Sequence, residues 1–322
     1  MKTRKLVLII ADLLLLALCL IQGIAAARDG AKYFKYDDSP DEITIVTPSE
    51  NLLLTKDGDD WFVTEQKYPA NGTVIDNFIE ATKEIRALDK VASVNDNSRS
   101  KYELVETKEI SVEIKKSGKL LRSLEIGKEP ASSSQAYITV DGGNDIYLAS
   151  GSLRATFNTS LKSLRSRVIW GFDKETVNSL SVTKADGTTW SLSRMGEGDS
   201  TSWTISIPDA EVDSEKASTV LQNAATLTTT SWYGDDVKAD DLGGEFLLSA
   251  KIGHDYESAS IEIYQILPKT EDSGDGDSAD TADNSSSGET KYYATCSESP
   301  YVFELASYAV EKFNKNAEDL VK

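Results

Sequence analysis

The chain has 322 residues, with 34 lysines and arginines against 53 aspartates and glutamates, a net charge of −19. That balance argues against a nucleic-acid or anionic-lipid binder, because phosphate contacts need basic side chains. The basic residues Lys115-Lys116 and Arg165 with Arg167 are isolated, and His254 with Cys296, the one cysteine outside the apolar N-terminal run, cannot build a structural zinc site.

The segment MKTRKLVLIIADLLLLALCLIQGIAAARDG opens on Lys2, Arg4 and Lys5. An apolar run from Leu6 to Ala27 follows, interrupted by Asp12 and Gln22. Such a run can span a bilayer as a helix. The basic flank then places the N-terminus in the cytoplasm and exports the rest. The favoured expectation is a transmembrane anchor over residues 1–28. It makes the protein single-pass in the inner membrane, with its bulk in the periplasm or outside the cell. A cleaved signal peptide competes, since Ala25-Ala26-Ala27 offers an A-x-A site. A third reading is a lipoprotein, because Leu16-Ala17-Leu18-Cys19 half resembles a lipobox. Leu18 is bulky for that role, and the apolar run continues past Cys19. With Cys19 in this segment, a disulfide to Cys296 is not expected. Residues 29–40 read as a polar juxtamembrane linker.

A first domain is expected over residues 41–170. ITIV, LLLT and WFVT read as strands, with the turn Lys56-Asp57-Gly58-Asp59-Asp60 before Trp61. Asn71 suits a helix N-cap. Phe78, Ile79, Thr82, Ile85 and Leu88 follow helical spacing and predict one buried face. ISVEIKK and LLRSLEIG form a hairpin through Ser117-Gly118-Lys119, and Gly127 marks a turn or bulge. Another hairpin has Asp141-Gly142-Gly143-Asn144 at its tip. A C-terminal helix follows Ser150-Gly151-Ser152, apolar at Leu153, Phe157, Leu161 and Leu164.

A second domain is expected over residues 171–322, and it repeats the first. Trp61 falls on Trp203, Val63 on Ile205, Asn71 on Asp213 and Ile85 on Leu227 at one offset of 142 residues. Further on, Ile146 falls on Val302, Phe157-Asn158 on Phe313-Asn314 and Leu164 on Leu320 at an offset of 156. So long a period means tandem domains, not a solenoid. The growth in offset corresponds to an acidic, aromatic-free insertion over residues 270–289, which is too polar to bury a core. Its aspartates do not follow the spacing of an EF-hand loop. The fold class expected is α+β: an N-terminal transmembrane helix, then two tandem homologous domains. Each is a β-meander or antiparallel sheet with two amphipathic helices. Trp61, Trp190 and Trp203 are read as core.

Chemistry is hard to place on this chain. It has no GxxxxGK[ST] loop and no GxSxG elbow. His254, in KIGHDYES, reads as a turn residue without a serine partner. Cys296 reads as a small buried thiol in or beside a strand. With 53 acids, close carboxylate pairs have no specificity for glycosidase work. The expectation is no catalytic, cofactor-binding or metal-binding residue, hence no cofactor and no enzyme.

Trp61, Tyr68-Pro69-Ala70, Val74 to Leu88, Tyr102-x-Leu104 and Leu124-Glu125-Ile126-Gly127-Lys128, followed by the Tyr137 and Tyr147 strands, carry a resemblance. On these residues the chain resembles the bacterial family called domain of unknown function 4340. The resemblance implies a membrane-anchored extracytoplasmic protein associated with ABC-type export systems of the gliding-motility kind. Its partners would then be an ABC-type permease and ATPase, and its role that of an accessory or scaffold. A free-standing binding module for envelope polysaccharide or peptide is the alternative. The second copy departs from the pattern, with Tyr264 where Gly127 would map and Pro208-Asp209-Ala210 in place of the YPA form.

Overall fold

The computed structural model describes residue 15 and residues 30–131, 134–196, 200–268 and 289–322. Apart from Leu15, the expected anchor over residues 1–28 lies outside the described residues, as does the acidic stretch 270–289 up to its last residue. Among the described residues, no helix is long and apolar enough to cross a membrane. The chain divides into two compact units, Met1–Arg165 and Ser166–Lys322. Both are antiparallel sheets with few helices, an α+β architecture rich in sheet.

The first unit begins with β1 (Lys32–Lys35), β2 (Glu42–Val46), β3 (Asn51–Asp57), β4 (Asp60–Val63) and β5 (Tyr68–Pro69). Helix α1 (Gly72–Lys83) leads directly into β6 (Glu84–Ser93), and helix α2 (Asp96–Tyr102) follows. Two hairpins come next, β7 (Ile110–Lys116) with β8 (Lys119–Ile126), and β9 (Gln135–Val140) with β10 (Asp145–Ser150). Two short helices, α3 (Leu153–Phe157) and α4 (Leu161–Leu164), complete the unit. The sheet order is β1-β6-β10-β9-β8-β7-β2-β3-β4-β5.

Local chemistry explains the hairpins. Ser117 and Gly118 have φ of 49° and 75°, and Asp141 and Gly142 have 53° and 65°. Two successive positive φ values give a turn whose twist matches that of the strands it joins. Period-two alternation then sorts the faces: Ile110, Val112 and Ile114 are fully buried, while Ser111 and Glu113 point the other way. The inner face packs beneath α1, which buries Ile75, Phe78 and Thr82. Phe78 stacks on Phe157 of α3 at 5.0 Å between ring centroids.

In the second unit, β11 (Val168–Gly171), β12 (Val177–Lys184), β13 (Thr189–Met195) and β14 (Ser202–Ile205) precede helix α5 (Ser214–Ala224). Then come β15 (Thr226–Thr228), β16 (Ser231–Trp232), a 3-10 turn at Ala239–Leu242, β17 (Glu245–His254), β18 (Glu257–Ile266), β19 (Lys291–Cys296) and β20 (Ser299–Leu305). Helix α6 (Ser307–Val310) and a 3-10 turn at Ala317–Leu320 end the chain. The main sheet runs β14-β13-β12-β17-β18-β19-β20-β16, while β11 pairs with β15. One core holds Trp170, Leu180, Val182, Trp190, Leu192, Leu221, Ile252, Phe303 and Phe313, with Trp203 packed at its margin.

The first sheet contains the run β4-β3-β2-β7-β8-β9-β10-β6, which has the connectivity of the second sheet strand for strand. The amide of Asn71, before α1, donates to the Leu164 carbonyl at 2.7 Å. The amide of Asp213, before α5, donates to the Leu320 carbonyl at 2.9 Å. Isolated bridges Ala70↔Arg165 and Val212↔Val321 stand beside these bonds.

Several local expectations need correction. The predicted linker 29–40 contributes β1, an edge strand that pairs with Glu84–Ala87 of β6. The helix after Asn71 stops at Lys83, so Ile85 and Leu88 lie on a strand. The single C-terminal helix expected in each copy is broken into short turns, because polar residues 158–160 and 314–316 intervene. Ser152 holds an N-cap position without a side-chain cap bond. His254 does not turn the chain; it ends β17 and stacks on Phe172 at 3.7 Å.

The two long-helix caps also differ. Asp213 accepts from the amides of Glu215 and Lys216, both at 3.2 Å, whereas Asn71 makes no side-chain cap bond. Asp213→Ala should therefore lower the urea midpoint of the second unit, because two free amides of the first turn lose their acceptor. Asn71→Ala should leave the midpoint of the first unit in place. Equal shifts from both substitutions would contradict this assignment.

Candidate functional site

Each sheet has an inner face packed beneath its long helix and an outer face turned away from it. On the first outer face, Glu125 of β8 and Thr139 of β9 are register partners. Thr139 donates its hydroxyl to Glu125 at 2.7 Å. Helix α2 lies over this pair. Asn95 begins the helix with a reciprocal capping box to Ser98, and Glu103 ends it in the left-handed region. Arg99, one turn in, donates through both terminal nitrogens to Glu125 at 3.0 and 2.9 Å and reaches Glu109 at 3.4 Å.

The chain after α2 then seals the face. Tyr102 packs its ring on Tyr137 at 4.5 Å, and Leu104 is fully buried. Together with Ile146 they form a small core on this side of the sheet. Gly127 makes the approach possible: a Cβ there would stand 2.2 Å from the carbonyl oxygen of Tyr102. The expected turn or bulge at Gly127 is thus a close backbone contact.

The charges on this face are unequal. Burial works against the Glu125 carboxylate, but hydrogen bonds from Arg99 and Thr139 hold its pKa below the usual range. Burial, then the charge of Glu125, pushes Glu109 up. Glu125 therefore contributes stability above the usual carboxylate range and loses it as pH falls through its depressed value. Glu109 acts in the opposite sense, since its raised value favours the protonated folded form. Arg99→Ala should cost about 2 kcal/mol at neutral pH. That cost should shrink on acidification as Glu125 becomes protonated, which urea unfolding at a series of pH values would measure.

The second outer face starts from the same pair of residue types but is finished differently. Glu262 of β18 and Thr295 of β19 are register partners. The next pair on the same face of these strands is Tyr264 and Tyr293, whose rings stack at 5.1 Å. Gly127 and Tyr264 each directly follow the core isoleucine of their strand, Ile126 or Ile263. The place taken in the first unit by a tyrosine from outside the strand is filled here by the strand's own side chain. Tyr293 donates to the Ala239 carbonyl at 3.1 Å and accepts from the Gly244 amide at 3.0 Å. Phe246 meets Tyr264 edge to face, which completes an aromatic rim.

Only the 3-10 turn Ala239–Leu242 stands where the first unit has α2. Among the described residues, nothing else covers the face. Ser181, Thr183, Ser249, Lys251, Ser260, Glu262, Thr295 and Ser297 line a shallow concavity of about 480 Å³. Glu262 accepts from the Tyr264 hydroxyl at 2.9 Å. Burial and that bond to a carboxylate push the Tyr264 phenol up to about 12. Lys251 has no ion-pair partner among the described residues. Cys296 lies at the margin of the concavity, and burial raises its pKa, so it is a poor thiolate nucleophile at neutral pH.

Among the described residues, no group of three or more metal-ligating side chains comes together. His254 and Cys296 sit on different strands, and the charge that acts on Cys296 is the Glu298 carboxylate, which adds to the upward shift of the thiol. What the arrangement offers, among the described residues, is a polar surface of small hydroxyls with one lysine outside any ion pair and one carboxylate. No sequence motif marked it, since its residues come from four strands. The available signal was alternating hydroxyls in SLSVT and SASIEI.

A family model described as Domain of unknown function (DUF4340) matches residues 26–243. That match runs from before β1 to the turn before β17. No curated protein and no solved structure matches the chain. With its Trp61, Tyr68-Pro69-Ala70 and Gly127 segments all inside a match covering more than half of its length, the chain belongs to the domain of unknown function 4340 family.

Proposed function

We propose that this protein is a non-enzymatic, membrane-anchored extracytoplasmic accessory or scaffold protein built from two tandem copies of one domain. Support for the duplication comes from the shared strand connectivity and from the matching Asn71–Leu164 and Asp213–Leu320 bonds. Support for the anchor is the apolar run Leu6 to Ala27 behind a basic flank. The observation that carries the accessory role is the contrast between outer faces, one covered by its own helix and the other open and polar. A protein with one face reserved in this way suits a partner complex. The resemblance that suggests the partner class points to an ABC-type permease and ATPase.

Crosslinking the full-length protein in its own membranes, followed by solubilisation and mass spectrometry, tests this reading. Permease and ATPase should be recovered together with it. Recovery of the protein alone, at the mass expected after cleavage behind Ala27, would remove both anchor and complex. The second reading, a free-standing module for envelope polysaccharide or peptide, is favoured by the hydroxyl bed and aromatic rim on the open face. Saturable binding to isolated cell-wall material would support it.

A further inference from the structure

We propose that the open outer face of the second sheet docks a short helix of a partner protein that carries an arginine, seated as α2 is seated on the first sheet. This does not depend on the anchor or on the transporter association.

The occupant is read from the molecule's own first unit. Glu125 and Thr139 occupy the same register positions as Glu262 and Thr295, each pair one step from a core isoleucine. In the first unit an arginine one turn into a helix satisfies the carboxylate with two hydrogen bonds. Under that helix Thr139 is 3% exposed and Glu125 is half-buried. In the second unit Thr295 is half-buried and Glu262 is exposed. Glu262 accepts from one neutral phenol and has no cationic partner among the described residues. An arginine fork fits a carboxylate in two parallel bonds, which a lone phenol cannot replace.

Two further features define the occupant. Lys251 stands opposite Ser260 on the neighbouring strand, unpaired, and calls for a carboxylate on the docked segment. Helix α2 carries that combination itself, with Asp96 three residues before Arg99. Tyr264 already covers the place where Tyr102 lies in the first unit, so the occupant needs no aromatic anchor. The fit is therefore to a polar helix of about two turns with mixed charge.

The test uses the full-length protein in detergent micelles and a capped synthetic peptide with the chain's own sequence from Val94 to Lys101. The first unit, already occupied by its own α2, is the internal control. Backbone amide resonances of Ser249, Glu262 and Thr295 should shift saturably. Glu262→Gln in the protein, or Arg99→Gln in the peptide, should each weaken binding roughly tenfold. Glu262 is exposed, and Glu262→Asp is a second variant that should retain most of the binding. Absent or non-saturating shifts would overturn the proposal, as would shifts insensitive to both Gln substitutions. Saturable shifts with maltotriose and none with the peptide would assign the face to glycan instead.

Discussion

Gly127→Ala is expected to destabilise the first unit by about 3 kcal/mol, at the upper end of overpacking costs. A methyl group at this position would stand 2.2 Å from the Tyr102 carbonyl oxygen and 3.1 Å from the Leu104 side chain. The first of these is backbone. It cannot swing aside, because the Lys128 amide donates to that same oxygen at 2.9 Å. The segment after α2 would have to lift, taking the Tyr102–Tyr137 contact with it. Urea unfolding monitored by tyrosine fluorescence measures the loss. A shift below about 0.5 kcal/mol, the size of an ordinary surface substitution, would show that the segment moves without penalty.

Phe157→Ala is expected to cost about 4 kcal/mol, because a large buried ring leaves a cavity that short helices cannot collapse to fill. Phe157 is fully buried and stacks on Phe78. It belongs to a five-residue helix whose own hydrogen bonds are too few to hold it without this anchor. Phe313, also fully buried and set edge to face against Trp170, should behave alike in the second unit. Losses of this size are a large part of the stability of an ordinary domain. Calorimetry of both variants measures them. A change under about 1 kcal/mol in either would mean that its ring is not a core element.

The hairpins and faces were legible in the sequence because their causes are local. Ser117-Gly118 and Asp141-Gly142 tolerate positive φ, and the apolar residues of ISVEIKK alternate without a break. Ile85 shows where local reading ends. It fits the helical spacing begun by Phe78, yet Ile85 and Ala87 also alternate with exposed Glu84 and Arg86. Pairing with β1 on one side and β10 on the other decides for strand, and neither partner is close in sequence. The same limit hid β1, whose four residues are mostly exposed and gain their structure from β6.

The open face was illegible for a different reason. Ser181, Lys251, Glu262 and Thr295 become neighbours through strand order, and each reads alone as an ordinary solvent-facing residue. The substitution of Tyr264 for Gly127 was visible as a departure from the repeat. Its meaning depends on the stacking on Tyr293 and on the 3-10 turn that stands in the place of α2.

The position of β1 has a mechanical consequence. A protein tethered through its N-terminus transmits any pull on the tether into the first element of its fold. Here that element is an edge strand of four residues, laid antiparallel on β6 from Lys32↔Ala87 to Lys35↔Glu84. Behind it stand the Tyr36 amide bond to the Lys83 carbonyl and the Tyr36–Thr82 hydroxyl contact at 2.9 Å. Tension from that side would strip β1 before it reached the sheet interior. Were the chain held through residues before Lys32, as the proposed anchor requires, β1 would be an expendable strand between tether and core, able to yield and re-form while the rest of the sheet keeps its pairing.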